Sequence, residues 1–296
     1  TAQEVSQMYK QREDRETIHA ALREIPVNEE CDKDWNNSCT ALHLACSYVD
    51  PEGIQILLER GANPNALDCY GRTPLYYLTQ QDGNREAPEG HAYRCATLLF
   101  AAKASPTRKD ENGVMALSEA ARLCRYEWIE AAVATGARIG MADRNGMTAL
   151  HIVAKEAESP ADLLNRAITE LASEEAANFP AWKIENYQQS EKENRQILGQ
   201  FYRMAKALVA GGIDIDAKNS AGETARDLAI RSGAKIISAL LSGYDPETDT
   251  EAAISGGMNL FEAIEMHDAP AVKVILQSAP DLYEGYDKEG ASEDLT

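Results

Sequence analysis

"GIQILLERGANPNALDCYGRTPL", residues 53–75, decides how this chain folds. Its first half places Ile54, Leu57 and Leu58 on one helical face and stops at Gly61. A glycine just past the last turn is a common helix stop, because it enters the left-handed region without steric cost. The second half carries Asp68 and, three residues on, Gly71, the chemistry of a tight turn. Thr73 and Pro74 follow. A threonine hydroxyl suits the free amides of a helix start, and proline is tolerated in a first turn. One stretch therefore holds the end of a helix, a hairpin turn and the beginning of the next helix.

The same grammar recurs along the chain. "NNSCTALHLAC", "DCYGRTPLYYL", "DENGVMALSEA", "DRNGMTALHIVA" and "NSAGETARDLA" align on Thr40, Thr73, Met115, Thr148 and Thr224, at spacings of 33, 42, 33 and 76. Two weaker members lie near Met258 and Ser292. Gly113, Gly146 and Gly222 repeat the turn, and a short apolar helix follows each one. A second helix comes next, with Leu57, Leu58, Leu99, Val133, Leu208 and Leu240 facing the interior, and it ends on Gly61, Gly136 or Gly211 in three repeats. A period near 33 is the signature of stacked supersecondary units that cannot bury their apolar faces alone.

These units resemble ankyrin repeats, whose pattern is close to "DxxGxTPLHxA...LLxxGAxxN". The resemblance is strong over 40–242 and weak to about 292, giving about six repeats. "ETIHAALREIPVNEE" reads as the second helix of an N-terminal capping repeat. The implied fold is all-α: an elongated, curved solenoid of helix-turn-helix units with hairpin fingers. The expected layout is an N-terminal helix and cap at 1–39, repeats at 40–158, a helical insertion at 159–200 and C-terminal repeats at 201–296. His43 and His151 stand where the family has a structural histidine, replaced by Tyr76, Ser118 and Arg226 in the other repeats.

Two insertions interrupt the period, both between paired helices. The short one covers about 82–92. The long one opens at Ser159-Pro160 and continues through Leu164, Ile168, Leu171 and Ala172 at helical spacing. "ANFPAW" breaks it, and a long helix then runs on into the repeat. Phe179, Trp182 and Tyr187 either seal this hairpin or form a lateral partner site.

Composition narrows the function. The 296 residues include 48 acids against 29 Lys and Arg, a net charge of −19. Thirteen acids against Lys273 and Lys288 fall after residue 242. Nucleic acids and anionic membranes need a basic footprint. Six cysteines lack CxxC spacing, so neither zinc nor a disulfide scaffold is expected, although Cys31 and Cys39 flank one loop. Cys46, Cys95 and Cys124 read as small core residues. "DPETDTEAAISGG", from Asp245, lacks the glycine and final glutamate of a calcium loop. No apolar run reaches the ~18 residues of a membrane span. No P-loop, GxGxxG, HExxH or GxSxG motif occurs.

The expectation is a non-catalytic, monomeric, cytoplasmic module without cofactor or metal that binds a protein partner. Carried over from the family, the partner face comprises the finger residues Cys69, Tyr70, Arg72, Glu111, Asn112, Val114, Arg144, Asn145, Met147, Ser220, Ala221 and Glu223. The first helices add Gln80, Gln81, Arg122, Lys155 and Arg231. Tyr70, Arg72, Arg122 and Arg144 are its expected centre and a basic strip, since Tyr and Arg dominate hot spots. The alternative is the repeat part of a larger protein or bacterial effector, translocated if a leader was removed, with its enzymatic domain outside this chain. The alanine content hints at bacteria.

Overall fold

A computed structural model describes residues 2–30, 38–80, 88, 90–173 and 179–243. Gln81, Cys31, most of the short insertion and the weak repeats after 243 lie outside these residues. The described residues form thirteen helices and no strand: α1 Ala2–Gln11, α2 Arg15–Leu22, α3 Ala41–Ser47, α4 Pro51–Glu59, α5 Pro74–Gln80, α6 His91–Ala101, α7 Ala116–Arg122, α8 Tyr126–Ala134, α9 Ala149–Glu156, α10 Glu158–Ala172, α11 Ala181–Ala210, α12 Ala225–Arg231 and α13 Lys235–Leu241.

The chain divides into two compact units. The first contains Thr1–Val153 and Ala207–Asp214. In it the odd helices stack in order, α1 on α3, α3 on α5 and α5 on α7, and the even helices do the same from α2 to α8. Each pair thus buries against the next: Leu42, Leu57, Leu75, Leu78, Leu99, Leu117 and Ile129 are fully enclosed. Leu58 and Val133 remain half-buried. The polar N-terminus joins this stack as α1 by burying Val5 and Tyr9, so the cap is a complete helix pair.

The helix starts show the sequence grammar at atomic scale. His43 Nδ1 lies 3.1 Å from the Thr40 amide, which can only donate. Nε2 therefore carries the ring proton and donates to the Arg72 carbonyl of the next finger at 3.2 Å. Burial pulls the imidazole pKa down to about 4, so the ring is neutral. His151 makes the same cap on Thr148. In the last repeat the equivalent position is Asp227, not Arg226: Asp227 accepts from the Thr224 amide at 2.8 Å, and its own amide donates to the Thr224 hydroxyl. This is a reciprocal capping box, which an acid fills as well as an imidazole.

The helix stops differ from expectation in one repeat. Gly61 and Gly136 adopt positive φ after α4 and α8, but after α11 it is Gly212 that does so, at φ 76°. Gly211 serves a different purpose. A Cβ there would lie 2.8 Å from Ile139 Cδ1 and 3.1 Å from both Val133 methyls, so the glycine permits close packing. After α6 the left-handed place is taken by Lys103, at φ 65°. Cys124 also turns left-handed, at φ 54°, and is half-buried beyond the end of α7, whereas Cys46 and Cys95 are core residues.

The second unit contains Ala154–Lys206 and the chain from Ile215 onward. Here α12 packs on α13. Ser232 Oγ donates to the Ala154 carbonyl at 3.0 Å. The buried face of α10 is Pro160, Ala161, Leu164 and Ala167. Ile168 and Leu171, expected on that face, are half-buried. α11 is one continuous helix of 30 residues.

Candidate functional site

The fingers are built by a carboxylate or amide clamp. Asp68 Oδ1 accepts from the Tyr70 and Arg72 amides at 2.9 and 2.8 Å. Asp110 does the same for Asn112 and Val114, Asp143 for Asn145 and Met147, and Asn219 for Ala221 and Glu223. These bonds satisfy turn amides that would otherwise have no partner. The acids are thereby turned inward, and the residues between them point out. Cys69, Tyr70, Glu111, Asn112, Arg144, Asn145, Ser220 and Ala221 are exposed, whereas Arg72, Val114, Met147 and Glu223 are half-buried.

Adjacent fingers of the first unit touch. The Glu111 amide donates to the Tyr70 carbonyl at 3.0 Å. Arg144 lies over Gly113, where any Cβ would collide with its guanidinium. Tyr70, Glu111, Asn112, Arg144 and Asn145 thus share one row of tips.

The expected basic strip is only partly available. The Arg72 guanidinium is sandwiched between the Tyr70 and Tyr76 rings, at 4.9 and 5.0 Å, and approaches Asp110 to 3.9 Å. Its role is to brace Tyr70, which remains 41% exposed. Arg122 grips Glu119 with two bonds, of 2.6 and 3.0 Å. Gln80 donates to the same carboxylate at 3.0 Å. Burial pushes the Glu119 carboxyl up, but the Arg122 and Gln80 bonds and the Arg122 charge hold it below its usual range. Arg125 closes the end of α5 through the Thr79 and Gln80 carbonyls, at 2.7 and 3.3 Å. The sequence reading did not find Glu119 or Arg125; an acid and a base spaced as Glu119 and Arg122 are were the available signal.

In the second unit Arg231 pairs with Glu223, whose carboxyl is lowered by the Asn219 bond and then by Arg231. Lys155 borders a shallow open depression of about 420 Å³ with Glu156, Glu158, Ser159, Asp162, Leu163 and Arg166. At the start of α11, Lys183 Nζ sits 3.4 Å from the Phe179 ring centre and 5.7 Å from that of Tyr187. Trp182, next to it, is 63% exposed.

A second polar cluster, also missed from sequence, joins the cap to the first repeat. Asp50 is buried and accepts from Tyr9, from His19 and from the Gly53 amide, with Arg15 at 2.9 Å. Asp50-Pro51 was a legible helix start; its long-range partners had no local signature. Cys39 is buried, with Sγ 2.9 Å from the Tyr77 hydroxyl. No group of three or more metal-ligating side chains occurs among the described residues. No helix of these residues is long and apolar enough to cross a membrane.

Stacked helix pairs, clamped turns and a row of exposed tips define a helix-turn-helix repeat protein. The repeats are ankyrin repeats: the family model for ankyrin repeats in many copies matches residues 27–78. The human SH3 and multiple ankyrin repeat domains protein 2 is 35% identical over 115 residues, 39% of this chain and 6% of that protein. The human neurogenic locus notch homolog protein 4 is 37% identical over 98 residues, 33% of this chain and 4% of that protein. An ADP-ribosylation factor GTPase-activating protein of Arabidopsis thaliana is 33% identical over 82 residues, 28% of this chain and 9% of that protein. The chain spans less than a tenth of the length of each of these relatives. Ankyrin repeats as a family mediate protein–protein interaction.

Proposed function

We propose that this chain is a protein-interaction module whose first unit takes its partner on the finger row and on the exposed sides of α5 and α7. Tyr70 is the observation that carries this reading. An aromatic ring 41% exposed would ordinarily be mobile, yet Arg72 holds it in place from one side. A braced aromatic at the surface loses little conformational freedom on binding, which is the property of an interface anchor. Arg144, Asn145, Asn112 and Glu111 complete the row, and Gln80, Arg122 and Met147 flank it. Lys155, Glu223 and Arg231 belong to the second unit and would make a separate contact, as would Phe179, Trp182 and Tyr187. The mechanism needs no catalytic group in the chain.

The test is partner capture with Tyr70 and Arg144 both changed to Ala. Capture from host lysate is expected to fail while the melting temperature stays within a few degrees, since neither side chain is buried. Unchanged capture would remove the finger row from the interface.

A second reading is that the chain is the recognition part of a longer protein, of bacterial-effector or other type, whose catalysis lies elsewhere. Its similarity to a short part of a GTPase-activating protein favours it. Sequencing the full gene tests it: a catalytic domain outside these residues supports it, and a stop codon just after Thr296 with none upstream removes it.

A further inference from the structure

Arginines on the helices of the first unit are largely engaged. Arg15 pairs with Asp50, Arg94 with Glu52 and Arg122 with Glu119, while Arg60 and Arg125 serve backbone carbonyls. The fingers differ. Arg108, Lys109, Arg138 and Arg144 are all exposed, and none makes a hydrogen bond or ion pair among the described residues. They lie on two consecutive fingers, 104–115 and 137–148, which touch where Arg144 covers Gly113. The Glu111 amide ties the first of these fingers to Tyr70. The turn acids Asp110 and Asp143 keep their charge but are turned inward, onto their own amides and, for Asp110, toward Arg72. Glu111 is the one exposed acid in the tip row formed with Tyr70, Asn112, Arg144 and Asn145.

We infer that these two fingers receive an acidic, extended segment of a protein partner, with Tyr70 at the edge of the contact. This deepens the reading proposed above and rests on it. The two touching fingers carry these four cations against Asp110, Glu111 and Asp143, a balance of +1 in a chain of net charge −19. Of their exposed charges four are positive and one is negative, so the surface they present is opposite in sign to the molecule as a whole. Such a field selects a short stretch of Asp and Glu and orients it. A nucleic acid fits less well. Its phosphates continue past the few cations available and meet the net negative charge of the rest of the molecule.

The experiment measures binding of fluorescein-labelled decaglutamate, with decaglutamine and a ten-nucleotide single strand of DNA as comparison probes. Decaglutamate is expected to bind, and its affinity to fall steeply with added salt. The variant Arg108→Ser, Lys109→Ser, Arg138→Ser, Arg144→Ser should lose at least about tenfold in affinity, the scale of a few exposed charges acting together. Lys192→Ser, Lys218→Ser in the second unit should bind as the parent does. Circular-dichroism melting of the four-site variant confirms that it is folded. No binding of decaglutamate, equal binding by the four-site variant, or tighter binding of the oligonucleotide would each overturn the inference. If decaglutamate fails while Tyr70→Ala, Arg144→Ala still abolishes partner capture, the finger row stands and its acidic ligand falls. If capture too is unchanged, both fall.

Discussion

The Tyr9 hydroxyl donates a 2.7 Å hydrogen bond to Asp50 Oδ2 across 41 positions of sequence. It joins the N-terminal helix pair to the start of α4, and His19 and Arg15 converge on the same carboxylate. Burial raises this carboxyl, but the Tyr9 and Gly53 bonds and the Arg15 charge outweigh it and hold the group below its usual range. Tyr9→Phe is expected to cost about 2 kcal/mol, the scale of a hydrogen bond to a charged group. Because the folded carboxyl is depressed, its contribution is complete above the unfolded value near 3.8 and is lost as pH falls below that. Urea unfolding at neutral pH and at pH 3 checks both the size and the sign.

His43 acts at a milder acidity. Its folded imidazole titrates at about 4, against 6.5 when unfolded, so between those values only the unfolded chain binds the proton. Stability should therefore fall as pH drops from 6.5 to 4, by up to about 3.5 kcal/mol at 1.4 kcal/mol per unit. His43→Gln offers an acceptor to Thr40 and a donor to Arg72 without titrating. Its unfolding midpoint should be flatter across this window, and an unchanged slope would assign the loss to other groups.

Lys103 occupies a left-handed place that glycine fills at Gly61 and Gly136. Its side chain is exposed, so nothing is lost by removing it. Lys103→Gly should stabilise the protein by about 0.5–1 kcal/mol, less than the full left-handed penalty because glycine also frees the unfolded chain. A rise in the thermal midpoint is the readout.

Gly211→Ala should destabilise by about 1 kcal/mol, since the new methyl would press on the buried Ile139 and the half-buried Val133. Ile139→Val removes the nearest of those atoms, so the double variant should recover part of the loss. Gly212→Ala should be costly for a different reason, its φ of 76°, and Ile139→Val should not rescue it.

The repeat was legible because its requirements are local. A turn needs Asp or Asn with Gly, a helix start needs Thr, and both recur at readable spacing. A long helix running on into the repeat was likewise readable from the polar run that begins at Gln188, although α11 starts earlier, at Ala181. Failures came where a side chain's role depends on which neighbour it packs against rather than on its own type. Arg72 and Arg122 look alike in sequence to Arg108 and Arg144, and all four carry the same charge. The fold shows the first two occupied, Arg72 by Tyr70 and Tyr76 and Arg122 by Glu119, of which only the spacing of Glu119 and Arg122 was readable beforehand. Gly211 and Gly212 present a similar problem: either could end the helix, and the proximity of Ile139 to one of them decides.

His43 has one further consequence, for anyone shortening this array. Its ring reads the threonine of its own repeat with one nitrogen and the backbone of the next finger with the other. A cut between Thr40 and Thr73 would take away the carbonyl that accepts from the ring and open a buried imidazole to water. The seam after Ser118 carries no such link from its hydroxyl, which finds no partner among the described residues. Useful fragments should begin or end there.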